Sequence, residues 1–305
     1  MKILVTGGAG FIGSHIVDAL IKKGHRVVVI DNLSTGSKKN LNPKAKCYQF
    51  DIRSPRMEMV FRKERPEAVF HYAAQIDVRG SLANPLEDAS VNIMGTLRVL
   101  NASLNAGVKR MIFASSGGAV YGDPSSMPIS EDTPTAPASP YGISKLAAEL
   151  YLRYTGVNHS LRWVSLRFAN VYGPRQNPMA ESGVVAIFSR RMLKGLPVTI
   201  TGTGSQTRDF VFVSDVVRAN LMALSSRSNG VFNIGTGRET SIRALYRLIA
   251  RATQYHRQPL IVPAKEGESR RSALDSSCAR RALGWRATVR LEQGIDKTIR
   301  FLRKM

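Results

Sequence analysis

Acidic side chains are scarce in this chain of 305 residues, and so are cysteines, tryptophans and long apolar runs. Asp and Glu number 22 against 44 Lys and Arg, which leaves a formal net charge of +22. The only cysteines, Cys47 and Cys278, lie far apart and form no CxxC or Cys/His cluster. That excludes a disulfide framework and a zinc site as organising features. No stretch approaches the ~18 to 20 apolar residues that span a bilayer, and Met1 to Thr6 lacks the parts of a signal peptide. A cytosolic protein without a membrane segment is expected. No zinc finger, RNA-binding aromatic signature or continuous basic helix accompanies the charge, so nucleic acid is not the expected partner.

The basic excess is uneven. Residues 1 to 160 hold 19 basic and 13 acidic side chains, whereas residues 161 to 305 hold 25 and 9. A basic second half attracts anions, from a nucleotide diphosphate to nucleic acid or acidic lipid, although a solvated basic surface would look the same.

Short apolar, β-branched runs alternate with helical patterns through the first half. Ile3 to Thr6, Arg26 to Ile30, Cys47 to Phe50, Ala68 to Tyr72, Arg110 to Ala114 and Arg162 to Phe168 read as strands. Phe11 to Lys23 and Leu86 to Ala106 read as helices, each stopping at a glycine, Gly24 and Gly107. This alternation predicts an α/β fold of the Rossmann type: a doubly wound parallel sheet with helices on both faces. Further helices are expected at about 182 to 194, 214 to 226, 241 to 253 and 291 to 303, among loops rich in Gly and Pro. The expected division is a dinucleotide-binding domain over 1–168 and a smaller α/β substrate lobe over 169–305, with some segments of the latter returning to the first domain.

Gly7, Gly10 and Gly13 follow the first strand and open the first helix. In that position they allow a tight turn, close approach of a pyrophosphate and close helix packing, with the helix N-terminus facing the phosphates. The second strand ends at Asp31, which can accept from both ribose hydroxyls of adenosine and would repel a 2′-phosphate. NAD is the expected cofactor. Asp51, after the third strand, could contact adenine or cap its own turn.

Tyr141 and Lys145 are four residues apart at the start of a helical pattern, so they share a face. A neighbouring ammonium and a positively charged nicotinamide are expected to lower the phenol pKa and make Tyr141 a usable acid/base. The fifth strand runs into Ser115-Ser116-Gly117-Gly118, placing hydroxyls at the carboxyl edge of the sheet, where ligands of open α/β folds bind. Fingerprint, serines and YxxxK together point to hydride transfer.

The sequence resembles the extended short-chain dehydrogenases and, within them, the bacterial and archaeal UDP-glucose 4-epimerases. The likeness runs the length of the chain through TGGAGFIGSH, DNLSTG, AAQ, VNIMGTL, SSGGAVYG, SPYGISK, RFANVYGPRQNP, GVVAIF, QTRDFVFV, VFNIGTGRE and the closing LGW. It implies reversible inversion at C4 of a UDP-hexose through a 4-keto sugar, on an NAD that is regenerated in each cycle. Tyr141 would be the acid/base, Lys145 its activator, and Ser116, rather than Ser115, the hydroxyl anchor. The implied cofactor surface takes in Gly7, Gly10, Phe11, Ile12, Gly13, Asp31, Asn32, Ser34, Thr35, Gly36, Asp51, Ile52, Tyr72, Ala73, Ala74, Gln75, Asn92, Ser115, Tyr141, Lys145 and Phe168. Asn92 is expected to steady the lysine region. The implied substrate surface takes in Ser116, Tyr141, Asn170, Val184, Val185, Arg208, Lys265 and Ser272, with Asn170, Arg208 and Lys265 on the diphosphate.

Several positions depart from the family's usual residues. Thr201 replaces an aromatic beside the uracil, Lys265-Glu266 replaces Arg-Pro, and Ser214 stands where an aspartate is frequent. Ser272 stands where a tyrosine restricts the C2 pocket, so N-acetylhexosamines are expected to fit unless a neighbouring side chain fills the gap. Gly117-Gly118-Ala119 lacks the acidic pair of the related 4,6-dehydratases and the acid of the decarboxylases. Arg175 leaves a glucuronate substrate open. The resemblance further implies a homodimer through a four-helix bundle of Leu86 to Ala106 and Tyr141 to Tyr154. A non-catalytic nucleotide- or nucleic-acid-binding module is the contrasting reading.

Overall fold

The structure, a computed structural model, describes residues 1–177, 183–263 and 270–304. The expectations placed on Lys265 and Glu266 lie outside the described residues. In the first half, β1 (Lys2–Thr6), α1 (Phe11–Lys22), β2 (Arg26–Asp31), β3 (Lys46–Gln49), α2 (Arg56–Glu64) and β4 (Ala68–His71) are followed by α3 (Val78–Ala83), α4 (Pro85–Ala89), α5 (Gly95–Asn105), β5 (Arg110–Ser116), α6 (Gly117–Val120), α7 (Pro140–Asn158) and β6 (Arg162–Phe168). The second half holds β7 (Asn170–Tyr172), α8 (Val184–Leu193), β8 (Thr199–Thr201), β9 (Thr207–Arg208), β10 (Phe210–Phe212), α9 (Val213–Ser225), β11 (Gly230–Ile234), β12 (Thr240–Ser241), α10 (Ile242–Thr253), β13 (Leu260–Val262), α11 (Ser277–Leu283) and α12 (Leu291–Leu302).

Seven parallel strands form one sheet in the order β11-β6-β5-β4-β1-β2-β3. Alternate residues of each strand face opposite sides, and helices cover both, so both faces are apolar. Ile3, Val5, Val27, Val29, Ile112 and Val164 meet Ile16, Val17 and Leu20 of α1 and Val216, Ala219 and Ala223 of α9. Leu4, Val28, Ile30, Val69, Met111 and Phe113 meet α2, α5 and α7 on the other side. The strand order reverses between β1 and β4. That opens a crevice at their carboxyl ends, where ligands of such sheets bind.

The seventh strand, β11, comes from late in the chain and pairs with β6 from Gly230↔Val164 to Ile234↔Phe168. The sequence reading missed it because the run is short and lies among glycine-containing loops. It also missed α2, whose only apolar residues are Met57, Met59, Val60 and Phe61. A third cluster, around Tyr172, Phe188, Phe212, Leu245 and Ile299, joins α8, α10 and α12 to the small strands of the second half.

The helix expected over Leu86 to Ala106 is interrupted. Ser90–Met94 form a π-helical turn between α4 and α5, a widening common at functional sites. It directs Asn92 inward, where it bonds the backbone of Gln75. Helix α7 begins as its sequence dictates: the Ser139 hydroxyl accepts from the Gly142 amide at 3.2 Å, and Pro140 occupies the first turn.

Beneath the sheet edge, Glu149 of α7 and Arg167 of β6 form a buried ion pair at 2.6 Å. The carboxylate also accepts from Ser165 at 2.9 Å. Replacing Glu149 by leucine leaves a buried guanidinium unpaired. Denaturant unfolding should show a loss of about 3 to 5 kcal/mol, and adding Arg167→Met should recover most of it.

Candidate functional site

The turn from β1 to α1 sits at the point where the strand order reverses, and glycines set its path. Gly7 has φ +69°, and a Cβ there would lie 2.6 Å from the backbone of Tyr72 and Ala73. A Cβ on Gly13 would fall 2.1 Å from the Gly7 carbonyl oxygen, so α1 can begin directly over the strand only with a hydrogen at that position. Gly10 donates to the Gly7 carbonyl at 3.1 Å and precedes α1 without a side-chain cap. The first-turn amides of Phe11 and Ile12 are left to a ligand.

Asp31 is buried at the end of β2. One carboxylate oxygen accepts from the Ala9 amide and the other from the Leu33 amide, both at 2.8 Å. Each oxygen keeps a second lone pair, so the carboxylate is fixed in place and can still accept from a ribose. Asn32, Ser34, Thr35 and Gly36 continue as a largely exposed loop, with Gly36 against Ala9. Asp51 serves its own turn: it accepts from the Arg53 amide and side-chain Nε, each at 2.9 Å, and from Asn32 at 3.0 Å. The Arg53 guanidinium holds its carboxyl below the usual range. Ile52 is buried beneath Gly95.

Tyr72, Ala73, Ala74 and Gln75 leave the end of β4 beside Gly7. The Thr6 hydroxyl accepts from the amides of Tyr72 and Ala73 at 3.2 Å and bonds His71 Nδ1 at 2.6 Å. Burial pushes His71 down to about 3, which makes it a neutral strut under this loop. The Tyr72 ring stacks on Phe168 at 6.3 Å. Asn92 acts on the lysine region through intermediates. It holds Gln75 through both backbone groups, at 2.9 and 3.0 Å, and donates to Asp88. The Ser144 hydroxyl takes the other Asp88 oxygen, so Asn92 acts on the lysine's neighbour. Asp88 was not foreseen, although its spacing from Asn92 on one helix face was a readable signal.

Lys145 and Tyr141 stand together on α7, and the Lys145 Nζ lies 5.7 Å from the Tyr141 ring centroid. The ammonium donates to the Ala114 carbonyl at 3.0 Å. Tyr141 is hydrogen-bonded to Ser116, and its amide donates to the Ser81 hydroxyl, a contact the sequence did not suggest. Ser115 Oγ is buried on the opposite side of the strand with no hydrogen-bond partner among the described residues. Burial opposes the lowering expected from Lys145 and a nicotinamide. Burial pushes Tyr141 up to about 12 against the Ser116 hydrogen bond, and pushes Lys145 down to about 8 against the charges of Asp88 and Glu149. Desolvation is the largest influence on both groups.

On the substrate side, the Asn170 amide donates to the Asp209 carbonyl at 2.9 Å, which brings Asn170 next to Arg208. The Arg208 guanidinium reaches its neighbouring Thr207 carbonyl at 2.8 Å. Val184 lines the start of α8, while Val185 is buried in the lobe core. Ser272 is buried, and two residues on, Leu274 packs so close to Gly117 that a Cβ there would lie 2.4 Å from it. The segment carrying Ser272 thus runs beside Ser116.

Three further positions have the following surroundings. Arg175 pairs with Asp18 of α1 at 2.7 Å, and its buried Nη1 has no hydrogen-bond partner among the described residues. Ser214 is exposed, and the carboxylate that does structural work is Asp215, which accepts from Thr288 and Val289 at 2.9 Å. Thr201 contributes its carbonyl to Gln206.

Residues 3–235 match the model of the NAD dependent epimerase/dehydratase family. A UDP-glucose 4-epimerase of Mycolicibacterium smegmatis is 46% identical over 309 residues, covering 99% of both chains. The crystal structure of the Thermotoga maritima UDP-glucose 4-epimerase with UDP-glucose superposes with a TM-score of 0.98 at 48% identity, over 100% of this chain and 99% of that one. The Thermus thermophilus UDP-glucose 4-epimerase complex with NAD gives 0.94 at 43% identity, over 99% of each. The chain belongs to the NAD dependent epimerase/dehydratase family.

The glycine cradle and the fixed Asp31 fit a dinucleotide. Gly13→Ala should weaken NAD retention by more than about tenfold, read as loss of bound nucleotide from the purified protein.

Proposed function

We propose that the chain inverts C4 of a UDP-hexose, interconverting UDP-glucose and UDP-galactose, with Tyr141 as the acid/base. The observation that carries this reading is the Tyr141–Ser116 pair at the carboxyl edge of the sheet, beside Lys145 and in front of the glycine cradle. NAD, when bound, supplies reversible hydride acceptance. The fixed turn at Gly7, Gly10 and Gly13 receives the pyrophosphate, and Asp31 receives the adenosine ribose.

Ser116 orients the sugar's 4-hydroxyl toward the Tyr141 oxygen, which takes its proton as the 4-keto sugar forms and returns it after the sugar turns over. Burial raises the phenol pKa, so the positive charges of Lys145 and an oxidised nicotinamide are what make proton removal feasible. Lys145 gives this support while protonated and withdraws it as pH rises through about 8. Asn170 and Arg208 hold the diphosphate while the hexose rotates, and Lys265 adds a charge without the planar fork of an arginine. Residues 1–168 serve mainly the cofactor and 169–305 mainly the substrate, apart from β11, α9 and α11, which complete the first domain. Gly117-Gly118-Ala119 offers no carboxylate for elimination at C5 and C6.

Exposed Leu82, Leu86, Leu150, Tyr154 and Val157 on α3, α4 and α7 support a homodimer through these helices. The reading places the enzyme in the cytosol and in galactose metabolism.

Incubation with UDP-galactose and no added cofactor should yield UDP-glucose, and Tyr141→Phe should reduce turnover by roughly 10²- to 10⁴-fold. Full activity in that variant would remove Tyr141 from its role. The small side chain of Ser272, two residues before the leucine that packs on Gly117, supports room at C2. UDP-N-acetylglucosamine should therefore also be converted, at a rate near that of UDP-glucose, and Ser272→Tyr should abolish this conversion while sparing UDP-galactose. Absence of any N-acetylated product in the parent protein would show that the gap is filled.

A further inference from the structure

The basic excess of the second half is unused by the reaction beyond a few side chains at the diphosphate. Between residues 183 and 263 the acidic side chains are Asp209, Asp215 and Glu239. The first two are buried, and the third is paired with Arg271. The outer surface built from this stretch therefore carries cations with no exposed, unpaired carboxylate of its own.

One corner of that surface is also apolar. Arg191, Lys194 and Leu196 surround the C-terminal end of α8, and α10 carries Arg251 in its last turn before leading through His256 and Arg257 into β13. The two ends are joined. Tyr255 donates its hydroxyl to the Leu196 carbonyl at 2.8 Å, and the Leu260 amide donates to the Val198 carbonyl at 2.8 Å. Leu196, Leu260 and Ile261 are 44%, 56% and 55% exposed, and Arg191, Lys194, Arg251, His256 and Arg257, on the same joined segments, are exposed as well. This corner is separate from α3, α4 and α7.

Charge alone would suit any polyanion, but the aliphatic residues favour one kind. A nucleic-acid strand is held by stacking on exposed aromatic rings. Here the aromatic rings, Tyr246 and Tyr255, are buried in the lobe. Aliphatic side chains ringed by Arg and Lys match the interface of an anionic bilayer, where apolar groups enter the acyl boundary while cations meet the headgroups.

We propose that this corner docks the protein peripherally on membranes rich in anionic phospholipid. Each cation near such a surface strengthens binding about fivefold, and the three aliphatic side chains add a contribution that salt does not screen.

The test is sedimentation of the full-length protein with vesicles of phosphatidylcholine alone or mixed with phosphatidylglycerol. Binding to the mixed vesicles only, weakened by salt, is expected. Lys194→Ala with Arg257→Ala should reduce it on the order of twentyfold. Leu260→Ser with Ile261→Ser should reduce it at unchanged net charge. UDP-galactose turnover in solution should be unaffected in both variants, which separates failure of this proposal from failure of the proposed reaction. Equal binding to neutral vesicles would overturn the proposal. So would full binding by the Leu260/Ile261 variant, because generic attraction to a polyanion would then suffice. Loss of binding only when Arg280 and Arg281 of α11 are replaced would overturn it as well, by placing the contact elsewhere.

Discussion

The close approach of Gly13 to the Gly7 carbonyl is the contact on which the site depends. It lets α1 start above the end of β1 after only the tight turn of residues 7–10, so the helix N-terminus opens into the crevice where the strand order reverses. The same turn lies against the backbone of Tyr72 and Ala73, which Thr6 and neutral His71 hold from below. Cofactor turn, first helix and the loop after β4 are thus one rigid unit, and its stiffness comes from backbone contact that no side chain could replace.

Tyr141 and Lys145 reach that unit from the far side of the sheet. Helix α7 is fixed by its Ser139 cap, by the ion pair of Glu149 with Arg167 and by the tie between Ser144 and Asp88. The site is therefore a meeting of elements from distant parts of the chain, and it is dry. Dryness raises the phenol pKa and lowers the ammonium pKa. The phenol therefore stays protonated up to about 12, while the ammonium keeps its charge up to about 8.

The second half divides its cations between two tasks. Asn170 follows the end of β6, where Phe168 pairs with Ser116, and lies against β10 next to Arg208, the two positions proposed to anchor a diphosphate. The remainder lie on the outer helices, and the apolar corner between α8 and β13 gives part of that charge a partner.

The sequence by itself determined the strands at regular spacing, the glycine turn with Asp31 after it, and the tyrosine and lysine one helical turn apart. Each is a local rule of backbone geometry or helix periodicity, readable without knowing the neighbours. Tertiary structure decided the rest. It brought β11 into the sheet, widened the helix at Asn92 and turned Arg175 back to Asp18. It also gave Asp215 its bonds to Thr288 and Val289, and it buried Tyr141 so that desolvation opposes the lowering of its pKa by nearby positive charge. These outcomes depend on burial and on partners distant in sequence, and those are set by how the layers pack and not by any local pattern.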